Sequence, residues 1–467
     1  MKTIMLCIIL MAVLMSGCMQ CVFADYYAAR NGQTPASPYT SWATAASNIQ
    51  DAVNAAGNHA TVWIGAGRYT IPPNATNYVG GSNVVFVNRP LTLRGSNGAP
   101  ETVIIDGEGF NRGMAVAYST MGYFTADSIT FTNGYNYSAG TDEGYGGGMY
   151  ILPGAAFTSV IQNCIFANNN TAGNAGDFKS QGGGLWIQAS GYIIVSNSIF
   201  RSNRAAGQFG GGGGAFMYTA GSGGGLILDS LFENNAAAVG GGLNFRLSGT
   251  RYFSLTNCIV RKNSAVKTAG SAAYGGGGIH HWPAVVRMWN CLVYDNYTDN
   301  AGGGIYTQKA PGGLELYNCT IVSNRAPAGV GGGLQTRGDS DSIVMHNSIV
   351  HSNSPANGQI YLGATTGTNR FYYSCFYLAG VSGAGAAPGD LELGPGNITN
   401  LPPSFSDFAG ENLHLSQNSP CINGGTNMAW MYGGVDLDKK SRIDKFYGRA
   451  DMGCYEYLPQ GLMFKVH

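Results

Sequence analysis

Histidine, arginine and tyrosine stand at matching positions after successive glycine runs in the middle of the chain. His280 and Tyr306 are each the second residue after a run, and Arg246 and Arg337 are each the fourth. A histidine can remove a proton, and an arginine can neutralise a carboxylate next to that proton. These residue types predict β-elimination on a uronic-acid polymer, with His280 as the base and Tyr306 or Lys309 as the proton donor. Arg246 and Arg337 would bind the carboxylate.

Two rows of side chains follow from aligning the residues after each glycine run. The first residue after each run is apolar, so we take it to point inward, and the second and fourth residues must then point outward. The second residues form the first row, which is Tyr150, Trp186, Phe216, Asn244, His280, Tyr306 and Gln335. The fourth residues form the second row, which is Leu152, Gln188, Tyr218, Arg246, Trp282, Gln308 and Arg337.

These two rows predict one outward face that is rich in aromatic, amide and arginine side chains. Exposed aromatic surface usually marks a binding site, and rings interleaved with polar groups suit an extended ligand with many hydroxyls. We therefore expect a polysaccharide to bind along this face. The alternative is that long loops fold over the face and bury it, and the loops concerned are residues 134–145, 170–181 and 264–274.

Few acidic residues are placed to act as a catalytic pair. Hydrolysis of a glycosidic bond needs two carboxyl groups about 5–9.5 Å apart. The candidates lie in or near the long loops, and they are Asp142, Glu143, Asp177, Asp295 and Asp299. They fit a hydrolase pair, ligands for Ca²⁺, or solvated loop charges. No other cofactor is predicted, because the glycine runs lack the Lys-Ser/Thr pair of a phosphate loop.

The elements that position these rows are short repeated strands. Asn or Asp occurs at eight positions and is followed each time by Asn six residues later; the first positions are Asp127, Asn163, Asn197, Asp229, Asn257, Asn290, Asn318 and Asn347. Residues of alternating polarity and short β-prone stretches predict two or three strands in each unit. Such a unit cannot bury its own apolar face, so the units must stack on each other. The predicted fold is an all-β solenoid of stacked coils.

The repeated positions also predict what lies at the turns and inside the stack. Asn tolerates left-handed turn geometry, and its amide can bond to copies in neighbouring coils. The residue after the first Asn or Asp is always small, and this column is Ser128, Cys164, Ser198, Ser230, Cys258, Cys291, Cys319 and Ser348. Because buried cysteine behaves as a small hydrophobe, we expect an interior ladder, with disulfides between adjacent coils as the alternative. The glycine runs mark a corner where positive φ is needed.

The composition excludes several other classes of protein. The chain has 467 residues, of which 72 are Gly, with 25 basic and 25 acidic residues. The hydrophobic content of 44% excludes charge-driven disorder, and the clumped glycines exclude collagen. A net charge of zero argues against a nucleic-acid binder. So many glycines also disfavour a helical bundle.

The repeats resemble those of known families. The segments 166–169, 200–203 and 232–235 read FANN, FRSN and FENN, and a glycine run and an apolar residue follow each of them. They are similar to the FxxN and GGAI repeats of polymorphic outer-membrane proteins. More broadly, the repeats and the segments 48–53 and 62–69 resemble right-handed parallel β-helix proteins of the pectate-lyase-like superfamily. This resemblance implies a parallel β-helix fold and leaves the activity open.

A short helix is predicted ahead of the repeats. Ala45, Ile49, Val53 and Ala56 share one face of this helix, which Gly57 would end. Such a helix is suited to capping the open end of the coil stack. We therefore predict a β-helix with this cap over residues 25–400.

The C-terminal segment, residues 401–467, carries its own resemblance. The stretches NSPCINGG at 418–425 and DMGCYE at 451–456 resemble the terminal segment of exported β-helix proteins described as choice-of-anchor Q. That family usually has small apolar residues where this chain has Cys421 and Cys454, and this joint departure implies a disulfide between them. The acidic residues of the segment are expected to organise a structural cap, and they are Asp436, Asp438, Asp444 and Asp451.

The N-terminal residues predict export. Residues 1–24 have the pattern of a signal peptide, with Lys2, an apolar run at 4–15 and the cleavage motif VFA before Asp25. The stretch MSGC at 15–18 also resembles a bacterial lipobox, in which case Cys18 would be lipidated. Both interpretations predict a secreted, periplasmic or cell-surface protein.

The sequence thus predicts an exported monomer that binds a polysaccharide, and not nucleic acid, along one β-helix face. Cleavage by β-elimination is the leading activity. One alternative is a non-catalytic, adhesin-like surface protein. A further alternative is a glycoside hydrolase that uses the loop carboxylates.

Overall fold

Short strands of successive coils pair in parallel through the repeat region. A computed structural model describes residues 24–71, 77–78, 81–118, 122–138, 144–153, 157–173, 180–220, 223–248, 252–266, 275–283, 285–308, 313–338, 341–363, 368–383, 391–444 and 447–457. The strands form sheets of 13, 11, 6 and 12 strands, in which equivalent strands of neighbouring coils are hydrogen-bonded. The predicted all-β parallel β-helix is confirmed.

Four sheets run along the stack. The strands of the first sheet are Asp25–Ala28, Thr61–Ile64, Leu91–Gly95, Gly122–Asp127, Phe157–Gln162, Ile193–Ser196, Gly225–Leu228, Tyr252–Thr256, Val285–Trp289, Leu314–Tyr317, Ile343–His346, Asn369–Tyr372 and Leu391–Leu393. Those of the second are Gly67–Tyr69, Val103–Asp106, Thr130–Thr132, Ile165–Ala167, Ile199–Arg201, Leu231–Glu233, Ile259–Arg261, Leu292–Tyr294, Thr320–Val322, Ile349–His351 and Cys375–Phe376. Those of the third are Tyr135–Ser138, Asn170–Gly173, Arg204–Ala205, Ala236–Ala237, Ser264–Ala265 and Tyr297–Thr298. Those of the fourth are Asn77–Tyr78, Gly81–Val87, Arg112–Tyr118, Met149–Pro153, Leu185–Ala189, Ala215–Ala220, Leu243–Ser248, Ile279–His281, Ile305–Thr307, Leu334–Thr336, Ile360–Leu362 and Val381–Gly383.

The remaining elements lie at the ends and in connections. An antiparallel hairpin pairs Phe405–Asp407 with Asn412–Leu415. The predicted helix is the α-helix Ile49–Ala55, which is shorter than expected because Ala45 and Ala56 of the predicted face lie outside it. The side chain of Asn48 accepts a hydrogen bond from the Asp51 amide, and Ile49 and Val53 are buried. Single 3₁₀ turns are Trp42–Thr44, Pro100–Thr102, Ala356–Gly358, Leu378–Gly380 and Ala429–Met431.

The first Asn or Asp of each repeat forms the turn between the first and second sheets. Seven of these residues adopt the left-handed conformation, with φ between 47° and 53°: Asn163, Asn197, Asp229, Asn257, Asn290, Asn318 and Asn347. In the first repeat, Ser128 takes this conformation instead of Asp127. Asn and Asp suit the position because their short polar side chains tolerate positive φ.

From the second repeat onward, the second Asn of each repeat forms a buried hydrogen-bonded ladder, whereas Asn133 of the first repeat donates to Asp106 instead. Each Nδ2 group donates to the Oδ1 atom of the equivalent Asn in the next coil at 2.9–3.0 Å, and the backbone amide donates to the same oxygen. The ladder runs through Asn169, Asn203, Asn235, Asn263, Asn296, Asn324 and Asn353. It supplies partners to backbone groups that the turn would otherwise leave unpaired.

The interior is apolar and closely stacked. Phe131, Phe166, Phe200 and Phe232 lie fully buried with ring centroids 4.6–5.0 Å apart. The small column beside them is buried as predicted, and its four cysteines are free thiols.

The C-terminal segment packs along the side of the stack rather than over its end. Residues Leu413, Leu415, Cys421 and Met452 pack on the outer surface of the second sheet, where they join a buried cluster with Ile349. Turn residues of three coils bind its backbone: the Nδ2 groups of Asn290, Asn318 and Asn347 donate to the carbonyls of Val435, Asp451 and Thr426.

One buried arginine organises this segment. Arg442 is fully buried, and its Nη2 atom lies 2.9 Å from Glu456 Oε1 and donates to the carbonyls of Asp451 and Gly453. Asp436 and Asp444 are also buried. A single guanidinium cannot neutralise every carboxylate here, so burial favours the protonated forms of Asp451 and Glu456. Burial raises the pKa of Asp451 to about 6 and that of Glu456 to about 9.

The predicted disulfide between Cys421 and Cys454 does not form in this structure. Both residues are buried free thiols. Cys421 lies beside Cys375, whereas Cys454 lies beside Cys319 and its amide donates to Thr320 Oγ1 at 3.0 Å. The two cysteines therefore contact different coils, which the sequence could not indicate.

Candidate functional site

The side chains of the first row point away from the interior of the stack, as the sequence predicts. Its residues are paired in direct register across the fourth sheet, on the opposite side from buried interior residues such as Met149 and Leu185. Tyr150 and Trp186 stack with centroids 4.8 Å apart, and Trp186 and Phe216 lie 6.4 Å apart. The alignment of the glycine runs therefore gives the correct register.

The first row is nevertheless covered. Its seven residues are only 0–8% exposed. The ring of Tyr145 stacks on Trp186 at a centroid distance of 4.6 Å, and Gln181 Oε1 accepts a hydrogen bond from Trp186 Nε1 at 3.2 Å. The prediction that this row is open to ligand is wrong, and the alternative of a buried row is correct for the described residues.

The glycine corner explains why this row is covered. Gly182 has φ of +64°, and a Cβ atom there would lie 2.8 Å from the Cα of Trp186. The chain turns so sharply here that Gln181 lies back against the outward row. Gly146 has φ of +60° and likewise places Tyr145 beside Tyr150.

His280 lies in the middle of the buried row. Its ring stacks on Tyr306 with centroids 5.5 Å apart, and its Nδ1 atom lies 3.5 Å from Asn244 Oδ1. Burial, helped by the neighbouring charges of His281 and Arg337, lowers the pKa of His280 to about 3, although a hydrogen bond with Gln308 opposes this. A base must reach its substrate and have a pKa near the working pH. The geometry thus gives no support to the predicted roles of His280 and Tyr306.

His281 is an interior residue. It is fully buried, and its Nε2 atom lies 2.7 Å from Thr307 Oγ1 in the next coil. The alternation along the strand thus places His281 inside the stack and His280 on its opposite side.

The second row reaches solvent. Arg246 and Arg337 are exposed, Leu152, Gln188, Tyr218 and Trp282 are half-buried, and Gln308 is buried. Because the row is two residues further from the glycine corner, the folded-back chain does not cover it. This row therefore presents the accessible part of the predicted face.

Arg246 occupies the centre of the second row. Its guanidinium carbon lies 5.7 Å from the ring centroid of Tyr218 and 4.8 Å from that of Trp282. Cation–π contacts on both sides hold the planar group in place. In the described part of the chain no carboxylate forms a salt bridge with Arg246. The site thus combines an exposed positive charge with two aromatic rings.

The other predicted groups are spread over several places. Lys309 and the acidic residues Asp142, Glu143 and Asp177 lie outside the described residues, as do the predicted signal peptide through residue 23 and Cys18. Asp295 forms an ion pair with Arg325 at 3.4 Å. Among the described residues no group of three His, Cys, Asp or Glu side chains is placed to hold a metal ion.

Sequence reasoning missed a second outward aromatic row. Trp289, Tyr317, His346 and Tyr372 stack along the first sheet with centroid distances of 5.5, 5.6 and 4.7 Å. The signal was present, because the first three each precede the first Asn of a repeat. Their faces are occupied by one another, so the row offers mainly ring edges to a ligand.

The chain shows limited similarity in sequence to known proteins. No protein-family profile matches the chain. A curated protein, the probable autotransporter YfaL of Escherichia coli (strain K12), is 25% identical over 223 residues, which are 47% of this chain and 16% of that protein. The chain thus spans less than a fifth of that relative's length.

Solved structures give likeness at low identity. Pectate lyase Pel9A has a TM-score of 0.47 and 15% identity, covering 93% of this chain and 96% of that one. The A-module of the mannuronan C-5 epimerase AlgE6 of Azotobacter vinelandii has a TM-score of 0.32 and 14% identity, covering 76% and 94%. Within the described residues no helix is long and apolar enough to cross a membrane. By its own strand pairing the chain is a parallel β-helix protein.

Proposed function

We propose that the protein binds an acidic polysaccharide along the second row of the fourth sheet. The observation that carries this proposal is the position of Arg246 between the rings of Tyr218 and Trp282. A guanidinium can bind a sugar carboxylate through two parallel hydrogen bonds. The half-exposed rings can pack against the apolar faces of sugar rings on either side.

The form of the row supports a polymer rather than a small ligand. Equivalent residues of neighbouring coils lie about 4.8 Å apart along the stack. Gln188, Arg246 and Arg337 thus present polar groups at several levels of one line that runs along the helix axis. An extended chain can contact them together, which adds weak contacts into one binding surface.

We propose that the second row binds the polysaccharide, and we assign no catalytic step to it. Arg246 supplies the cation that β-elimination needs, but His280 is buried beneath the face and its pKa is lowered. A non-catalytic, adhesin-like role is therefore the form of the function that the geometry favours. Ultraviolet absorbance of unsaturated product tests whether the protein cleaves the polysaccharide and whether cleavage needs Ca²⁺.

We also propose that the protein is exported. Support comes from the signal-peptide pattern of residues 1–24 and from the curated relative, which is named a probable autotransporter. Cell fractionation of the wild type and of Cys18→Ala separates release from lipid anchoring. Membrane retention that Cys18→Ala abolishes indicates a lipoprotein, whereas a cytoplasmic location of both contradicts export.

Affinity electrophoresis in gels that contain polygalacturonate, alginate or a neutral glucan tests the binding proposal. We expect retardation by the acidic polymers only, and weaker retardation in Arg246→Gln. Arg201→Gln is the matched control, because Arg201 is an exposed arginine on the second sheet. Ultraviolet absorbance of unsaturated product in the same mixtures, with and without Ca²⁺, reports lyase activity. Equal migration in all gels contradicts the proposal.

A further inference from the structure

A separate cavity lies near the N-terminal end of the stack. It has a volume of about 440 Å³ and lies at the corner that follows the first strands of the first sheet. Arg30, Ala66 and Ser96 line it, each just beyond one of three neighbouring strands. The second row lies on the fourth sheet, so this cavity is distinct from the proposed polysaccharide surface.

Trp42 gives the cavity an aromatic wall. Its side chain is 44% exposed, which is unusual for a tryptophan, and its ring meets Tyr27 edge-on at a centroid distance of 4.8 Å. A Cβ atom on Gly65 would lie 3.4 Å from the Cζ3 atom of Trp42, so the indole lies close over backbone that carries no side chain. The Ser41 side chain caps the turn that carries Trp42. The indole is therefore held in place while much of its surface stays exposed.

Arg30 gives the cavity a positive charge. Its guanidinium carbon lies 5.8 Å from the ring centroid of Tyr69, and among the described residues it has no salt bridge. A Cβ atom on Gly67 would lie 2.5 Å from the Cγ atom of Arg30, so glycine leaves room for this side chain. Among the described residues no acidic side chain lines the cavity, and the polar residues Asn31 and Ser96 are part of its lining.

We propose that this cavity binds a sugar acid, one pyranose ring that carries a carboxylate. The indole would pack on the ring face, Arg30 would bind the carboxylate, and Asn31 and Ser96 would bind hydroxyls. Pockets of roughly 300–1,000 Å³ are typical of small-molecule sites, and the cavity falls in this range. This inference does not depend on polysaccharide binding by the second row.

Isothermal titration of the mature protein with D-galacturonate, D-glucuronate and D-glucose tests the proposal. We expect the uronates to bind at least about tenfold more tightly than glucose, a difference of about 1.4 kcal/mol. Trp42→Ala and Arg30→Gln should each weaken uronate binding by about tenfold. Ala66→Phe fills the cavity but leaves the Trp42 indole and the Arg30 guanidinium present, and it should abolish uronate binding. Circular dichroism and the melting temperature establish that each variant is folded.

A control outside both sites and a comparison between the sites separate them. Arg201→Gln, an exposed arginine on the second sheet, should bind the monosaccharide uronates as the wild type does. The loss of uronate affinity in Arg30→Gln should exceed any loss in Trp282→Ala. The proposal is overturned by the absence of uronate binding to the wild type, by equal affinity for glucose, or by unchanged binding in folded Arg30→Gln and Ala66→Phe. It is also overturned if Trp282→Ala removes uronate binding, because the uronate would then occupy the second row.

Discussion

The guanidinium of Arg246 lies 4.8 Å from the ring centroid of Trp282, its neighbour in the next coil. The opposite neighbour, Tyr218, lies at 5.7 Å. This arrangement places an exposed positive charge between two half-buried rings on a rigid sheet. The sheet and the rings fix the charge before ligand arrives, which reduces the entropy lost on binding.

Replacing Arg246 by Lys should weaken binding to polygalacturonate although the charge is kept. A lysine ammonium is a compact charge that cannot lie flat between two rings or make two parallel hydrogen bonds to a carboxylate. We expect an affinity loss of about fivefold to tenfold, equivalent to about 1 kcal/mol. Titration at low ionic strength measures it. Unchanged affinity would show that only charge matters, and Arg201→Lys serves as the control.

Replacing Asn235 by Ala should destabilise the stack. Its Oδ1 atom accepts from the Asn203 amide and Nδ2 groups, and its Nδ2 group donates to Asn263 and to the Phe200 carbonyl. Loss of these buried partners should cost about 3 kcal/mol in the free energy of unfolding. Urea denaturation measures the change. Asn58→Ala is the control at an exposed turn position without positive φ, and equal losses in the two variants would argue against the ladder.

Replacing Gly182 by Ala should be more harmful than the same change at Gly98. Both glycines have positive φ, but a Cβ atom at Gly182 would lie within 2.8 Å of Trp186, whereas one at Gly98 would have no neighbour within 4 Å. Gly98→Ala should lower the free energy of unfolding by about 1 kcal/mol, through backbone strain alone. Gly182→Ala should cost clearly more and increase the solvent exposure of Trp186, which fluorescence quenching can detect. Equal melting temperatures would contradict this account of the corner.

The C-terminal segment should make the protein less stable as pH rises from about 5 to 9. The unfolded chain releases the Asp451 and Glu456 protons near pH 4, whereas burial raises the folded-state pKa values to about 6 and 9. The folded protein therefore holds more protons in this window, and this contribution to stability is lost as pH rises. Glu456→Gln should flatten the dependence of the melting temperature on pH. A melting temperature that increases with pH in the wild type would oppose this interpretation.

The repeats predict much of the fold, because each repeated position has a single geometric role. The asparagine turns, the glycine corners with positive φ and the helix beginning at Ile49 all follow from local residue preferences. Local preferences leave the burial of the first row as one of two alternatives and do not decide between them. Tyr145 and Gln181 cover it from the residues before the glycines, and their position depends on how sharply the chain turns.

The residues that contact Cys421 and Cys454 in the C-terminal segment could not be predicted from the sequence either. The pairing of Cys421 with Cys454 is implied only by the resemblance of the terminal segment, and no local motif predicts it. The segment instead packs along several coils, so each cysteine meets a different neighbour, Cys375 or Cys319. Such contacts are set by the path of the segment over the second sheet, which no local motif specifies.

Polysaccharide binding by the second row is tested most directly by titrating polygalacturonate into the wild type and into Arg246→Gln at low and at physiological ionic strength. The account predicts wild-type binding that weakens with salt and a loss of about tenfold or more in Arg246→Gln. Arg201→Gln should retain wild-type affinity. Identical affinity in the wild type and in folded Arg246→Gln, or no binding of acidic polymer by the wild type, would contradict it.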